Sequence, residues 1–133
     1  VQGGTNKKLT VQNLMENIAG NVKIDGFLAF DGTAEAVTAA GSAVAINVTS
    51  TLCNITSSNT TTGGNSLTLA NGVQGQIKII TKISGTHDVD VTPAAFTNGT
   101  KLTLSAVGES VTLIFNNSSW QIQSVQPHDL TIA

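Results

Sequence analysis

The stretch Ser66-Leu67-Thr68-Leu69-Ala70-Asn71-Gly72-Val73-Gln74-Gly75-Gln76-Ile77-Lys78-Ile79-Ile80-Thr81-Lys82-Ile83 reads as two strands joined by a turn. Leu67-Thr68-Leu69 alternates as a half-buried strand does. Asn71-Gly72 supplies the turn. The run from Gln76 to Ile83 is longer: Ile77 and Ile79 share one face, and Ile80 breaks the alternation. A bulge near Ile80, or burial of both faces, would account for the break.

The same style continues on both sides. Downstream, Val89 and Val91 share a face, and Pro93, which cannot donate to a sheet, ends that strand. Asn98-Gly99 turns into Lys101-Leu102-Thr103-Leu104, and Gly108 leads into Ser110-Val111-Thr112-Leu113-Ile114-Phe115. Asn116 to Ser119 turn the chain into Trp120-Gln121-Ile122-Gln123-Ser124-Val125. Upstream, Leu52 to Ile55 is a short strand, Val44, Ile46 and Val48 share a face, and Glu35 to Thr38 is a weaker strand. Val22-Lys23-Ile24 and Phe27-Leu28-Ala29-Phe30 flank Asp25-Gly26, a strong hairpin signal. The Ser/Thr/Asn/Gly tract from Ser57 to Asn65 reads as a loop. Strands this short predict an all-β fold: an antiparallel sandwich, a barrel or a β-solenoid. Leu67-Thr68-Leu69 and Leu102-Thr103-Leu104 echo each other, but two copies do not establish a repeat.

Only the N-terminus departs from this pattern. Residues 1–20 are expected to form an arm followed by a short helix, and residues 21–133 a single β-domain. In Thr10-Val11-Gln12-Asn13-Leu14-Met15-Glu16-Asn17-Ile18 the apolar positions Val11, Leu14, Met15 and Ile18 line one helical face. Thr10 fits as the N-cap and Gly20 as the stop. A helix this short needs a surface to dock on.

The 133 residues carry 40% hydrophobic but only 11% charged residues, with net charge −2. An ordinary soluble domain has about 25% charged residues. Cover by Thr, Ser, Asn and Gly suits a surface that packs against protein, since fewer ions must be stripped of water. No basic patch for nucleic acid, no basic amphipathic stretch for a membrane surface and no signal-peptide pattern are visible. One cysteine, Cys53, excludes an internal disulfide and reads as a small buried hydrophobe.

The chain from Leu67 to Trp120 resembles a module of tailed-phage virion proteins. The resembling residues are Leu-Thr-Leu-Ala-Asn-Gly from Leu67, Gly75-Gln76-Ile77-Lys78, Val91-Thr92-Pro93, Gly99-Thr100, Gly108-Glu109-Ser110-Val111-Thr112-Leu113, Phe115 and Trp120. Thr5-Asn6-Lys7-Lys8-Leu9-Thr10-Val11-Gln12-Asn13-Leu14 is similar to the linker that precedes such modules. The resemblance implies a structural protein on the capsid or tail surface of a virion, assembled as a homotrimer, with no catalytic residues and no cofactor. Two roles are compatible with it. One is a capsid decoration, or cement, protein bound over junctions of the major capsid protein. The other is a tail-fibre or receptor-binding domain touching host glycan or protein.

Little chemistry competes with that expectation. Alternation puts Asp88 and Asp90 on one strand face and His87 on the other, so the three do not converge. His128 lies near the C-terminus and reads as a surface or interface residue. No nucleophile elbow, P-loop, dinucleotide fingerprint or metal-ligand cluster appears. The expected contact residues are therefore Lys7, Lys8, Val11, Leu14, Met15 and Ile18 of the arm, together with Trp120. Trp120 reads as a core or subunit-interface plug, with a sugar-stacking platform as the other possibility.

Overall fold

The computed structural model describes Gly26, Ala29 and residues 33–58, 64–126 and 131–133. The expected arm and helix, most of the hairpin about Asp25-Gly26, and the middle of the loop after Ser57 lie outside those residues. Within them the chain is all β: β1 (Glu35–Ala39), β2 (Val44–Ile46), β3 (Leu52–Ser57), β4 (Ser66–Leu69), β5 (Ile77–Ser84), β6 (Val89–Pro93), β7 (Leu102–Leu104), β8 (Ser110–Asn116), β9 (Ser119–Gln126) and β10 (Thr131–Ile132).

The strands form two five-stranded sheets. The first has the order β1-β3-β5-β8-β9 and the second β10-β7-β6-β4-β2. From β1 to β6 the chain alternates between the sheets, and successive strands within each sheet are parallel. This is the winding of a solenoid with three two-strand coils. Apolar residues stack in register from coil to coil: Val44 on Leu67 on Val91, and Ile46 on Leu69 on Pro93. From β7 onward the strands pair antiparallel, with one isolated parallel bridge between Phe96 and Trp120.

The expected antiparallel sandwich is therefore corrected: the sheets are mixed. The connections between β1 and β6 carry the chain across to the other sheet rather than back along the same one, so these strands cannot pair as hairpins. Neither sheet closes on itself among the described residues, which rules out a barrel there. The core between the sheets comprises Ile46, Leu67, Leu69, Val89, Val91, Leu102 and Leu104 from the second sheet and Val37, Ala39, Cys53, Ile55, Ile80, Val111, Leu113, Phe115 and Trp120 from the first.

One turn differs from the reading of the sequence, and another follows it. The turn after β4 spans residues 73–76, where the Gln76 amide donates to the Val73 carbonyl (2.9 Å). Gly75 has φ +82° there, a conformation that suits glycine at the third position of a type II turn. Gly72 matters for close approach instead. A Cβ at this position would meet the Trp120 ring at 2.9 Å and Gln76 Oε1 at 2.7 Å. At the β8–β9 connection, Asn117 (φ 51°) and Ser118 (φ 62°) form the doubly left-handed centre of a tight hairpin.

Candidate functional site

β5 sets the character of the molecule, and it faces the opposite way from its composition. Lys78, Ile80 and Lys82 point into the core and are fully buried, whereas Ile77 and Ile83 are exposed and Ile79 is half-buried. The alternation does not break at Ile80; Ile80 simply belongs to the lysine side. A register shift does occur nearby, between Ile55 and Thr56 of the neighbouring strand. The face shared by Ile77 and Ile79 is the outer one.

The buried ammonium groups explain this inversion. Lys78 Nζ donates to the carbonyls of Asn47 (2.7 Å) and Ser50 (2.6 Å) in the β2–β3 connection and pairs with Glu35 Oε2 at 3.2 Å. Lys82 Nζ donates to the carbonyls of His87 (2.7 Å) and Ser105 (2.6 Å), in the β5–β6 and β7–β8 connections. Where the chain leaves one sheet for the other, carbonyls lose their ladder partners and need another donor. An ammonium has three donors to give. Burial holds the Lys82 amine below its ordinary pKa, while the carboxylates of Asp88 and Glu109 oppose that shift.

With its lysines inside, the first sheet has an outer face without charge. In register across it run Ile77, Ile114 and Gln121; then Leu52, Ile79, Thr112 and Ser124; then Ala36, Asn54, Thr81, Ser110 and Gln126. None of these described residues is ionisable. Leu52, Ile77, Ile79 and Ile114 form its apolar part, and none of them is buried. An uncharged face with an apolar centre and a hydroxyl and amide rim has the composition of an interface.

The residues expected to carry contacts fall elsewhere. Lys7, Lys8, Val11, Leu14, Met15 and Ile18 lie outside the described residues. Trp120 is fully buried within this single chain. Its Nε1 donates to the Ala70 carbonyl (2.9 Å), and its ring meets Phe115 edge-on at 5.2 Å. It plugs the core and leaves no ring face for a sugar.

Among the described residues, Cys53 and Asp90 offer no free chemistry either. Burial, reinforced by the nearby Glu35 carboxylate, pushes the Cys53 thiol up to about 12, although Lys78 pulls the other way. A thiol at that value is scarcely ionised at neutral pH. Asp90 bonds Lys101 Nζ and Thr103 Oγ1, each at 2.6 Å. No group of three or more His, Cys, Asp or Glu that could hold a metal occurs among the described residues. A cleft of about 540 Å³ between Thr49, Thr51 and residues 73–77 has its amides spent on the protein itself. Gln74 bonds Asn116 and Asn117, and Gln76 bonds Val48 and Val73.

The sequence signal for the uncharged face was the placing of Lys78 and Lys82 four apart in an isoleucine-rich strand, where a core-facing isoleucine row is the usual assumption. The chain matches no protein-family model and no curated protein.

Proposed function

We propose that this chain is a non-enzymatic structural protein of a virus particle: a homotrimeric capsid decoration protein that binds over junctions of the major capsid protein and stabilises the head. The observation that carries the reading of an assembled structural protein is the outer face of the first sheet. Leaving Ile77, Ile79 and Ile83 toward water while burying two lysines is a costly arrangement for an isolated chain. Each buried aliphatic side chain contributes about 1.5 to 3 kcal/mol relative to exposure. Covering that face with protein recovers this contribution without stripping water from any ion. Uncharged Thr, Ser and Asn cover elsewhere, together with the similarity to tailed-phage virion modules, supplies the setting.

Immunogold labelling of intact phage particles, with antibody raised against the purified chain, tests the reading. Gold distributed over the whole head is the expected result. Gold confined to the tail would replace decoration with the fibre role, and unlabelled particles would remove both.

A further inference from the structure

We infer that the outer face of the first sheet is where copies of this chain meet one another, so that its occupant is a second copy and not the capsid. The inference rests on the reading that the chain self-associates, and it names the surface. Three observations carry it.

The first is charge. Around a symmetry axis, identical residues approach one another, and any ion on the face would meet its own copy. The rows through Ile77, Ile79 and Thr81 contain none. The described charges of the second sheet, Asp90 and Lys101, lie on its own outer side. The second is area. Five strands about 4.8 Å apart, each contributing roughly six residues at about 3.4 Å, make a face of about 500 Å². Three such faces turned toward one threefold axis bury about 1,500 Å² in all, within the range of a standard-sized interface.

The third observation separates face from edge. The start of β9, the last strand of this sheet, is already covered. The Trp120 amide donates to the Ala95 carbonyl (3.0 Å) and the Thr97 amide to the Trp120 carbonyl (3.1 Å). Asn98 Oδ1 accepts from the Ile122 amide at 3.0 Å. With that edge occupied, strand-to-strand addition at this end is blocked. At this end of the sheet the flat face, and not the β9 edge, is open to contact.

Two measurements on the full chain test the assignment. Light scattering of the unaltered protein should give three chains of 13.6 kDa, and Ile79→Asp should give one. Maleimide labelling supplies the second readout, because Cys53 is buried with its thiol pushed up to about 12 and stays silent. Thr112→Cys, in the middle of the face, should react at least tenfold more slowly in the assembly than after dilution to monomer. Thr68→Cys, on the outer side of the second sheet, should react equally in both. If Ile79→Asp fails to fold, the labelling pair still decides, since it leaves every isoleucine in place. A monomeric unaltered protein, an Ile79→Asp variant of unchanged mass, or equal labelling of Thr112→Cys and Thr68→Cys in the assembly overturns the inference. Head labelling by antibody with an unprotected Thr112→Cys would sink this surface and spare the decoration reading. A protected Thr112→Cys with unlabelled particles would do the reverse.

Discussion

The two sheets share one apolar core but place their charges differently. The second follows the ordinary rule: Leu67, Leu69, Val89, Val91, Leu102 and Leu104 point inward, and the Asp90–Lys101 pair lies on the outer side. The first keeps an apolar inner face but admits Glu35, Lys78 and Lys82 to it, and it leaves Leu52, Ile77, Ile79 and Ile114 outward. Composition alone does not account for the difference. Lys78 and Lys82 sit near the two ends of one central strand, where each reaches carbonyls of the connections between elements. A lysine stem can lie along apolar core while its head ties together backbone that an aliphatic side chain would leave unpaired. Once those two positions face inward, alternation obliges Ile77 and Ile79 to face out. The outer face of the first sheet is thus a consequence of how the loops are tied.

The largest effect should come from cutting the Lys78 tie. Lys78→Met preserves most of the volume but removes the donor to Asn47 and Ser50 and leaves Glu35 with the Asn47 amide and no counter-charge. Breaking a buried pair from one side costs about 3 to 5 kcal/mol. Urea denaturation of the variant should show a loss in that range. A loss under about 1 kcal/mol would mean that the lysine heads do not hold the connections, and the contrast between the sheets would reduce to composition.

Lys82 separates hydrogen bonding from charge. It ties two carbonyls, and no carboxylate hydrogen bonds to it among the described contacts. Lys82→Met should therefore cost less, about 1 to 3 kcal/mol for leaving buried acceptors unpaired. Its pH dependence has a definite sign. The folded-state pKa lies below the unfolded value near 10.5, so the unfolded chain binds more protons between the two. The stability of the unaltered protein relative to Lys82→Met should rise as pH climbs through that window and level off above 10.5. Cys53 acts oppositely in both proteins: with its folded value raised from 9.0 to about 12, its contribution is complete below 9 and fades as pH rises toward 12. Comparing the two proteins at matched pH cancels it. A difference that falls across this range would show that Lys82 is not held below its ordinary value.

All the strands except β10 were legible in the sequence because period-two alternation is local. Val89 with Val91, the short strand at Leu102 and the hairpin about Asn116 to Ser119 appear where the pattern put them. Parallel pairing was not legible, since nothing local distinguishes a loop that crosses to another sheet from one that doubles back. The inversion of β5 was hidden for a different reason. Ile77-Lys78-Ile79 reads as apolar-in and charged-out unless the carbonyls waiting at the far ends of the lysine stems are known, and those come from Asn47, Ser50, His87 and Ser105, distant in sequence or across a turn. Trp120 was legible as a plug, because a single large side chain on an alternating strand seldom stays outside. Its partner Ala70 was not.

The smallest expected effect lies on the outer side of the second sheet and gives the comparison its lower bound. Lys101 Nζ meets Asp90 Oδ2 at 2.6 Å, with the lysine side chain 40% and the aspartate 18% exposed. Close geometry does not make such a pair strong, since water screens it and holding a long side chain in one rotamer costs entropy. Asp90→Asn isolates the charge, because the amide oxygen can still accept the Thr103 hydroxyl that now bonds Oδ1. The expected loss is under about 1 kcal/mol at low salt. In 1 M NaCl, where screening acts over about 3 Å, the variant and the unaltered protein should melt together. Lys78→Met in the same buffers should keep most of its loss at both salt concentrations, because the Lys78 side chain is fully buried, though that of Glu35 is 17% exposed. If Asp90→Asn proved as costly as Lys78→Met, or if both losses faded with salt, the two pairs would be equivalent. The difference between a charge that ties a core and a charge that decorates a surface would then disappear.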